Sequence, residues 1–503
     1  MKKLIKIFIL TSIVFATSSC EKFLDVNDNP NSPVNENLTL ASKLSAALAT
    51  TASQETVQIN QLSAFWSGYW GTTSEAVSLF AKEKTYSGVQ IRGSRDGIQV
   101  WENSYNILLY YQLIKEQAEK ENALYYIGIA KIMQGWHFLR LVDIYNNIPF
   151  DEALKGTSLP RPKYEDGETV YSKSLNLISE GINDIKSAPA VSAPGNDDIL
   201  FKGNSALWYK FANTIKLRAL LRQTETDNQP YINSELAKIQ MEGSGFLGSG
   251  QNAYAQPGYL NTNGKINPFY ENFYRNVGGA VINYANIRPT QYVIDQYTAL
   301  SDPRLVKLYV PANGTYKGVL FGNPTSEDQY KAVNTSPFRG PVENANAPAA
   351  LFKNYNQPSV LLSSFESLFL QAEATERGWL SAATAKNLYE EAIKESFKYM
   401  EVAAADFALY NLQTTVNYDL ATNKIERIIN QKWLALNSIS SFEAWSDYRR
   451  LGFPNIPNSL QAPGTGVRPL RLMYPETEHQ TNKDEVNKQG NDDILTSPIW
   501  WDK

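Results

Sequence analysis

Cysteine is all but missing from this chain, with Cys20 alone among 503 residues. No disulfide can close within it, so its stability must come from packing. Histidine is nearly as scarce, and His137 and His479 lie far apart in the sequence. With no HExxH and no second histidine at helical spacing, they form no metal-binding pattern, and no metal or cofactor is expected. No GxSxG elbow or second cysteine supplies a nucleophile. Basic runs are absent too, since no stretch holds more than two adjacent Lys or Arg. A protein that grips phosphate backbones needs a basic face, so nucleic acid is excluded as a partner. Beyond the first 19 residues, no apolar run approaches the ~20 residues of a spanning helix.

What is present begins with Met1-Lys2-Lys3, two apolar runs from Ile7 to Leu10 and Ile13 to Ala16, then Thr17-Ser18-Ser19. A charged start, a short apolar core and a small-residue exit make residues 1–19 a secretory signal. The small-small-Cys ending resembles a bacterial lipobox, in which the cysteine thiol is acylated and becomes the first processed residue. Thr17 stands where lipoboxes usually carry an aliphatic residue, which leaves ordinary signal cleavage as the alternative. More than one acyl chain would hold the protein stably to a membrane. Without the signal, 44 basic residues face 51 acidic ones. Residues 20–37 are polar and broken by Pro30 and Pro33, and read as a lipidated tether. Residues 38–503 contain no long linker and read as one body.

Helical periodicity dominates that body. Ile129, Ile132, Met133 and Trp136 fall at i, i+3, i+4 and i+7, and Phe138, Leu141, Val142 and Tyr145 continue beside them up to Pro149. A periodic segment over 98–120 precedes this one, and the close connection at Glu121-Asn122 predicts an antiparallel pair. A second pair spans 170–185 and 205–222 around the Pro- and Gly-rich loop SAPAVSAPGNDD. The third begins at Ser363, which has capping-box spacing to Glu366, stops at Gly378 and resumes over 382–400. The fourth covers 425–436 and 441–451, ended by Gly452 and Pro454. The fold class expected is mostly α, a superhelical stack of four tetratricopeptide-like helix pairs. Residues 243–358, rich in Gly, Pro, Asn and Tyr, form an irregular, loop-rich binding subdomain inserted in it.

Several motifs carry no chemistry. Gly243, Gly245 and Gly248 spell GxGxxG, but they follow a predicted helix where a dinucleotide site needs a strand, so a loop is expected. Asp25, Asn27, Asn29, Asn31 and Glu36 echo a calcium loop, yet Pro30 stands where that loop requires Gly. Acid pairs such as Asp197-Asp198 and Asp492-Asp493 could serve a glycosidase only at a separation in space that sequence does not give.

The aromatic residues carry more. They make up 12% of the chain. The segment FWSGYWG sets Phe65, Trp66, Tyr69 and Trp70 around Gly68 and Gly71, which predicts an exposed aromatic loop. The insertion adds Tyr254, Tyr259, Tyr270, Tyr274 and Tyr284 among Asn252, Asn261, Asn263, Asn272 and Asn283. Rings stack on the C–H faces of sugars while amides bond their hydroxyls, and peptides would fit as well. Trp66, Tyr69, Trp70, Asn283 and Tyr284 are the candidate ligand contacts, with packing of these rings in the core as the alternative. No catalytic residue is assigned.

Six segments carry a resemblance: CEKFLDVNDNPNSP, IGIAKIMQGWHFLRLVDIYNNIPFDEAL, GYLNTNGKINPFYENFYR, SFESLFLQAEATERG, QKWLALN with EAWSDYRRLGFP, and RLMYPETEHQTN. Together they resemble the SusD/RagB family of outer-membrane nutrient-binding lipoproteins, over the whole processed chain. Asn146-Asn147 departs from the Gly-Asp found in many members. The resemblance implies a lipoprotein anchored through Cys20, facing the cell exterior. It also implies four tetratricopeptide-like units, a SusC-like TonB-dependent transporter as partner, and an oligosaccharide or polysaccharide as ligand. A peptide cargo on the same architecture and an all-helical glycosidase are the rival readings.

Overall fold

The computed structural model describes residues 38–93, 97–341, 350–464, 466 and 468–502. The signal, Cys20, the tether and the calcium-like spacing of Asp25 to Glu36 lie outside the described residues.

The four predicted pairs are formed by helices Val100–Lys120 with Leu124–Tyr145, Gly167–Ser187 with Ser205–Arg222, Ser364–Glu376 with Ala385–Tyr399, and Lys424–Leu436 with Ser441–Leu451. Their starts follow from local chemistry. The side chains of Asp166, Asn204, Ser363, Thr384 and Asn423 each accept a hydrogen bond from the backbone N–H three residues on, satisfying a donor that the helix itself cannot. The last helix of the fourth pair ends where Gly452 turns left-handed at φ 76° and its N–H bonds the carbonyl of Tyr448.

The pairs stack through small residues. A Cβ added at Gly128 would lie 2.5 Å from the carbonyl oxygen of Gly181, and one at Gly181 would lie 2.6 Å from that of Gly128. Backbones therefore touch where the Leu124–Tyr145 helix crosses Gly167–Ser187, and the second pair locks onto the first. A further helix, Leu40–Gln54, runs through a π-turn at Glu55–Ile59 into Asn60–Trp66. Sequence periodicity did not single it out, because its buried face is built from Ala and Thr as much as Leu.

The core between the pairs is apolar and ionic at once. Glu443 receives Arg140, Arg218 and Arg222 at 2.9, 3.2 and 2.7 Å, all four side chains being buried. Arg222 also holds Asp143 at 2.7 Å, and Arg450 bridges Glu373 and Asp447. These ions tie helices from all four pairs together.

Among its described residues the insertion contains short helices and small sheets, with no long element of its own. An antiparallel ladder joins Trp70–Thr72 to Ile287–Pro289 and so staples the insertion to the first helices. A second joins Ala253–Ala255 to Ser359–Leu362 at the start of the third pair. GxGxxG proves to be a loop, with Gly243 capping the helix Gln229–Glu242 at φ 83°.

Candidate functional site

The expected exposed loop of Trp66, Tyr69 and Trp70 is not what forms. All three rings are 0% exposed. Trp66 packs on Trp445 at 5.0 Å and donates its Nε1–H to the carbonyl of Glu83. Tyr69 packs on Trp433 at 4.8 Å and donates to that residue's carbonyl. Trp70 meets Phe273 at 5.0 Å and donates to the Ser438 hydroxyl. The segment lies between the last helix pair and the insertion, so burying its rings is what seats one on the other. Each polar tip has a protein partner, as a buried indole or phenol requires.

Asn283 and Tyr284 sit together on the short helix Ile282–Asn286 and are partly exposed. Asn283 donates its Nδ2–H to the carbonyl of Asn272, and the Tyr284 hydroxyl donates to that of Phe338, both at 3.0 Å. The Tyr284 ring stands edge-on to Tyr274 at 4.8 Å. The pair is thus partly exposed, and Phe338, whose carbonyl takes the Tyr284 hydroxyl, packs its ring on Trp70 at 5.9 Å. Of the other insertion tyrosines, Tyr270 and Tyr274 are buried. His137 is buried in the core, where its Nε2 is 2.9 Å from the Thr51 hydroxyl. Asp198 is consumed locally, accepting from the backbone of Leu200, Phe201 and Gly203 and from Trp208.

A cleft of about 360 Å³ opens where the insertion meets the third helix pair. Its walls hold Asn252 and Tyr254 from one side, Lys353 and Gln357 from another, and Ser364, Glu395, Lys398 and Tyr399 from the helices. Two of these, Asn252 and Tyr254, belong to the insertion's predicted amide-and-ring set. Tyr399 escaped notice because it ends a regular amphipathic helix and reads there as core.

The polar groups of the cleft are fixed before any ligand arrives. Glu395 accepts from the Ser364 hydroxyl at 2.6 Å and the Gly250 N–H at 2.7 Å. Asn252 accepts from the Ser364 N–H at 2.7 Å. Lys353 donates to the Tyr399 carbonyl, pairs with Glu401 at 3.0 Å, and lies 4.8 Å over the Tyr399 ring. Lys398 lies 3.6 Å from Glu395. Each cation has a carboxylate partner, so the cleft is close to neutral. Tyr254 and Tyr399 are half-buried. Burial raises both phenols above the ordinary tyrosine value, and nearby Tyr399 and Glu395 add to the rise at Tyr254. Both hydroxyls therefore keep their protons at neutral pH and can donate as well as accept. Two tyrosine rings in one cleft, with fixed amides and balanced charge, suit a neutral, hydroxyl-rich ligand.

Among the described residues no helix is long and apolar enough to cross a membrane, and no group of three or more His, Cys, Asp or Glu side chains gathers as metal ligands would.

Solved structures of similar shape extend over nearly the whole chain. A SusD homologue from Bacteroides fragilis is 23% identical with a TM-score of 0.72, covering 91% of this chain and 98% of its own. A SusD homologue from Bacteroides uniformis is 21% identical with a TM-score of 0.70, covering 92% and 99%. A chitin-binding SusD homologue from Flavobacterium johnsoniae is 21% identical with a TM-score of 0.74, covering 92% and 98%. At such identities the likeness shows a shared fold. No curated protein matches by sequence. The sequence pattern of one family, however, runs from residue 30 to residue 475, through all four helix pairs and the insertion. On that match the chain belongs to the SusD-like family, described as starch-binding and associating with the outer membrane.

Proposed function

We propose that this protein is a lipid-anchored, outward-facing outer-membrane protein that captures neutral glycan oligomers and passes them, uncut, to a SusC-like TonB-dependent transporter. The observation that carries the ligand class is the charge-balanced cleft with half-buried Tyr254 and Tyr399 beside Asn252. Rings of this kind stack on sugar faces, and fixed amides bond hydroxyls without having to be ordered first. The family description and a chitin-binding protein of the same fold support a carbohydrate over a peptide. The lipobox-like ending at Cys20 supports the anchor. The non-catalytic reading is supported by Glu395, the carboxylate among the residues lining this cleft, being committed to the Ser364 hydroxyl and the Gly250 N–H.

Calorimetric titration with neutral hexasaccharides of glucose and of N-acetylglucosamine, alongside a panel of unrelated hexapeptides, tests it. Tyr254→Ala should weaken binding of the preferred hexasaccharide at least tenfold and move the melting temperature little. Preference for peptides, binding indifferent to Tyr254, or release of shorter sugars over time would reject this reading.

A further inference from the structure

Beside the cleft, and sharing part of its wall, lies a chamber of about 20 Å³. Gln357, Pro358 and Tyr399 line both. These three are partly exposed while the rest of the chamber's lining is buried, so the chamber opens toward the cleft. Its inner wall forms where the insertion, the strand Ser359–Leu362 and the turn between the helices of the fourth pair meet. That wall is largely apolar, from Phe269, Leu351, Val360 and Ile439.

Size and chemistry together say what the chamber takes. A cavity needs roughly 10–15 Å³ to hold a water, so this one has room for a single group of water or methyl size. Its polar side chains other than Tyr399 are already spent on the protein. Asn267 donates to the Gln357 carbonyl and the Ser359 hydroxyl at 2.9 and 3.0 Å, and Gln357 donates to the Leu351 carbonyl at 2.8 Å. Thr56 donates to the Ala52 carbonyl at 2.7 Å, and Ser438 to Asn437 Oδ1 at 2.9 Å. A water needs several polar partners to stay, so a methyl displaces it favourably. Reach narrows the class further. In a 2-acetamido sugar a flat amide stands between the methyl and the sugar ring, so the ring can stay in the cleft while the methyl enters the chamber. The methyl of a 6-deoxy sugar sits directly on a ring carbon and would pull the ring off the cleft. The hydroxymethyl of glucose would carry a hydroxyl into a space with little to bond it.

We infer that the cleft selects N-acetylhexosamine oligomers, seating one acetamido methyl in the chamber beside Tyr399 while the sugar ring lies in the cleft with Tyr254. This names the ligand of the proposed function and rests on the cleft being a glycan site. One methyl buried in an apolar pocket favours the acetylated sugar over relatives that lack it by roughly tenfold.

Titration calorimetry on the processed protein, with hexamers of glucose and of N-formyl-, N-acetyl- and N-butanoyl-glucosamine, reads the fit. The N-acetyl hexamer should bind about tenfold tighter than each of the others, because glucose and the formyl group bring no methyl and butanoyl overfills the chamber. Val360→Phe, which fills the chamber from its inner wall, should erase that preference. Should this variant lose its native melting transition, the acyl series on the parent protein decides by itself. Equal affinity for all four hexamers, or preference for glucose, with binding still weakened by Tyr254→Ala, overturns the chamber's role and leaves the glycan site. N-butanoyl bound as tightly as N-acetyl overturns it too, since the acyl group would then lie in open solvent. An N-acetyl preference that survives in folded Val360→Phe places the methyl elsewhere and likewise overturns it. Silence from every hexamer overturns the glycan site and this inference with it.

Discussion

At Trp66 an indole N–H bonds the Glu83 carbonyl inside a shell that includes Tyr86 and Trp445. Truncating it leaves both a large cavity and an unpaired carbonyl. Trp66→Ala and Trp70→Ala should each lower stability by roughly 3–5 kcal/mol in denaturant titration. A loss below ~1 kcal/mol would mean these rings are free for ligand after all. His137 shows the same burial acting on charge. Desolvation, with the Arg140 cation nearby, lowers its pKa to about 3, so it is neutral in the fold. The unfolded chain protonates this group below about 6.5 and the folded one does not. Its share of stability is therefore lost as pH falls from about 6.5 toward 3. His137→Gln, measured by denaturant titration at pH 7 and pH 5, should make stability less dependent on pH across that interval.

Between elements, contact is set by missing side chains and by ions. The Gly128–Gly181 crossing leaves no room for a Cβ against either carbonyl. Gly128→Ala should push the helices apart and cost roughly 1–3 kcal/mol, readable as a lower melting temperature. Glu443 faces three arginines in a space closed to water, and removing its charge strands them. Glu443→Gln should cost about 3–5 kcal/mol, since breaking a buried cluster leaves uncompensated charge. Glu373 adds an acid limit. Burial pushes its pKa up, but Arg450, with Arg377 and Lys432, more than offsets this and holds it at about 2. A depressed carboxylate contributes stability above its unfolded value of about 4.5 and loses it as pH falls toward 2. Denaturation midpoints should therefore fall steeply below pH 4.5, and the slope should flatten in Glu373→Gln.

For the whole molecule, the consequence to test is attachment. Cys20→Ala should shift the protein from the outer-membrane fraction to a soluble one while its melting curve and hexasaccharide affinity stay unchanged. Co-purification of a TonB-dependent barrel with the parent protein tests the transporter partnership. Much of this body is legible in sequence. The helices Ser205–Arg222 and Ser441–Leu451 have the ends that their capping and periodicity predict, because a cap and a 3.6-residue stripe are local properties. The site is less legible. Asn252 and Tyr254 stand out by composition, but Tyr399 resembles any core tyrosine at the end of a helix stripe, and Trp66 resembles an exposed one among glycines. Which of them meets water depends on what the chain brings against it from hundreds of residues away.

Sequence by itself determined the helix pairs, their caps and the irregular insertion, because hydrogen bonding to near neighbours and the period of apolar residues act within a few turns. Only the tertiary structure decided which rings are core and which line a cleft. Burial is a property of the partners, Ser438 and Trp445 for the tryptophans and Lys353 and Glu395 for the cleft, and no local pattern encodes them.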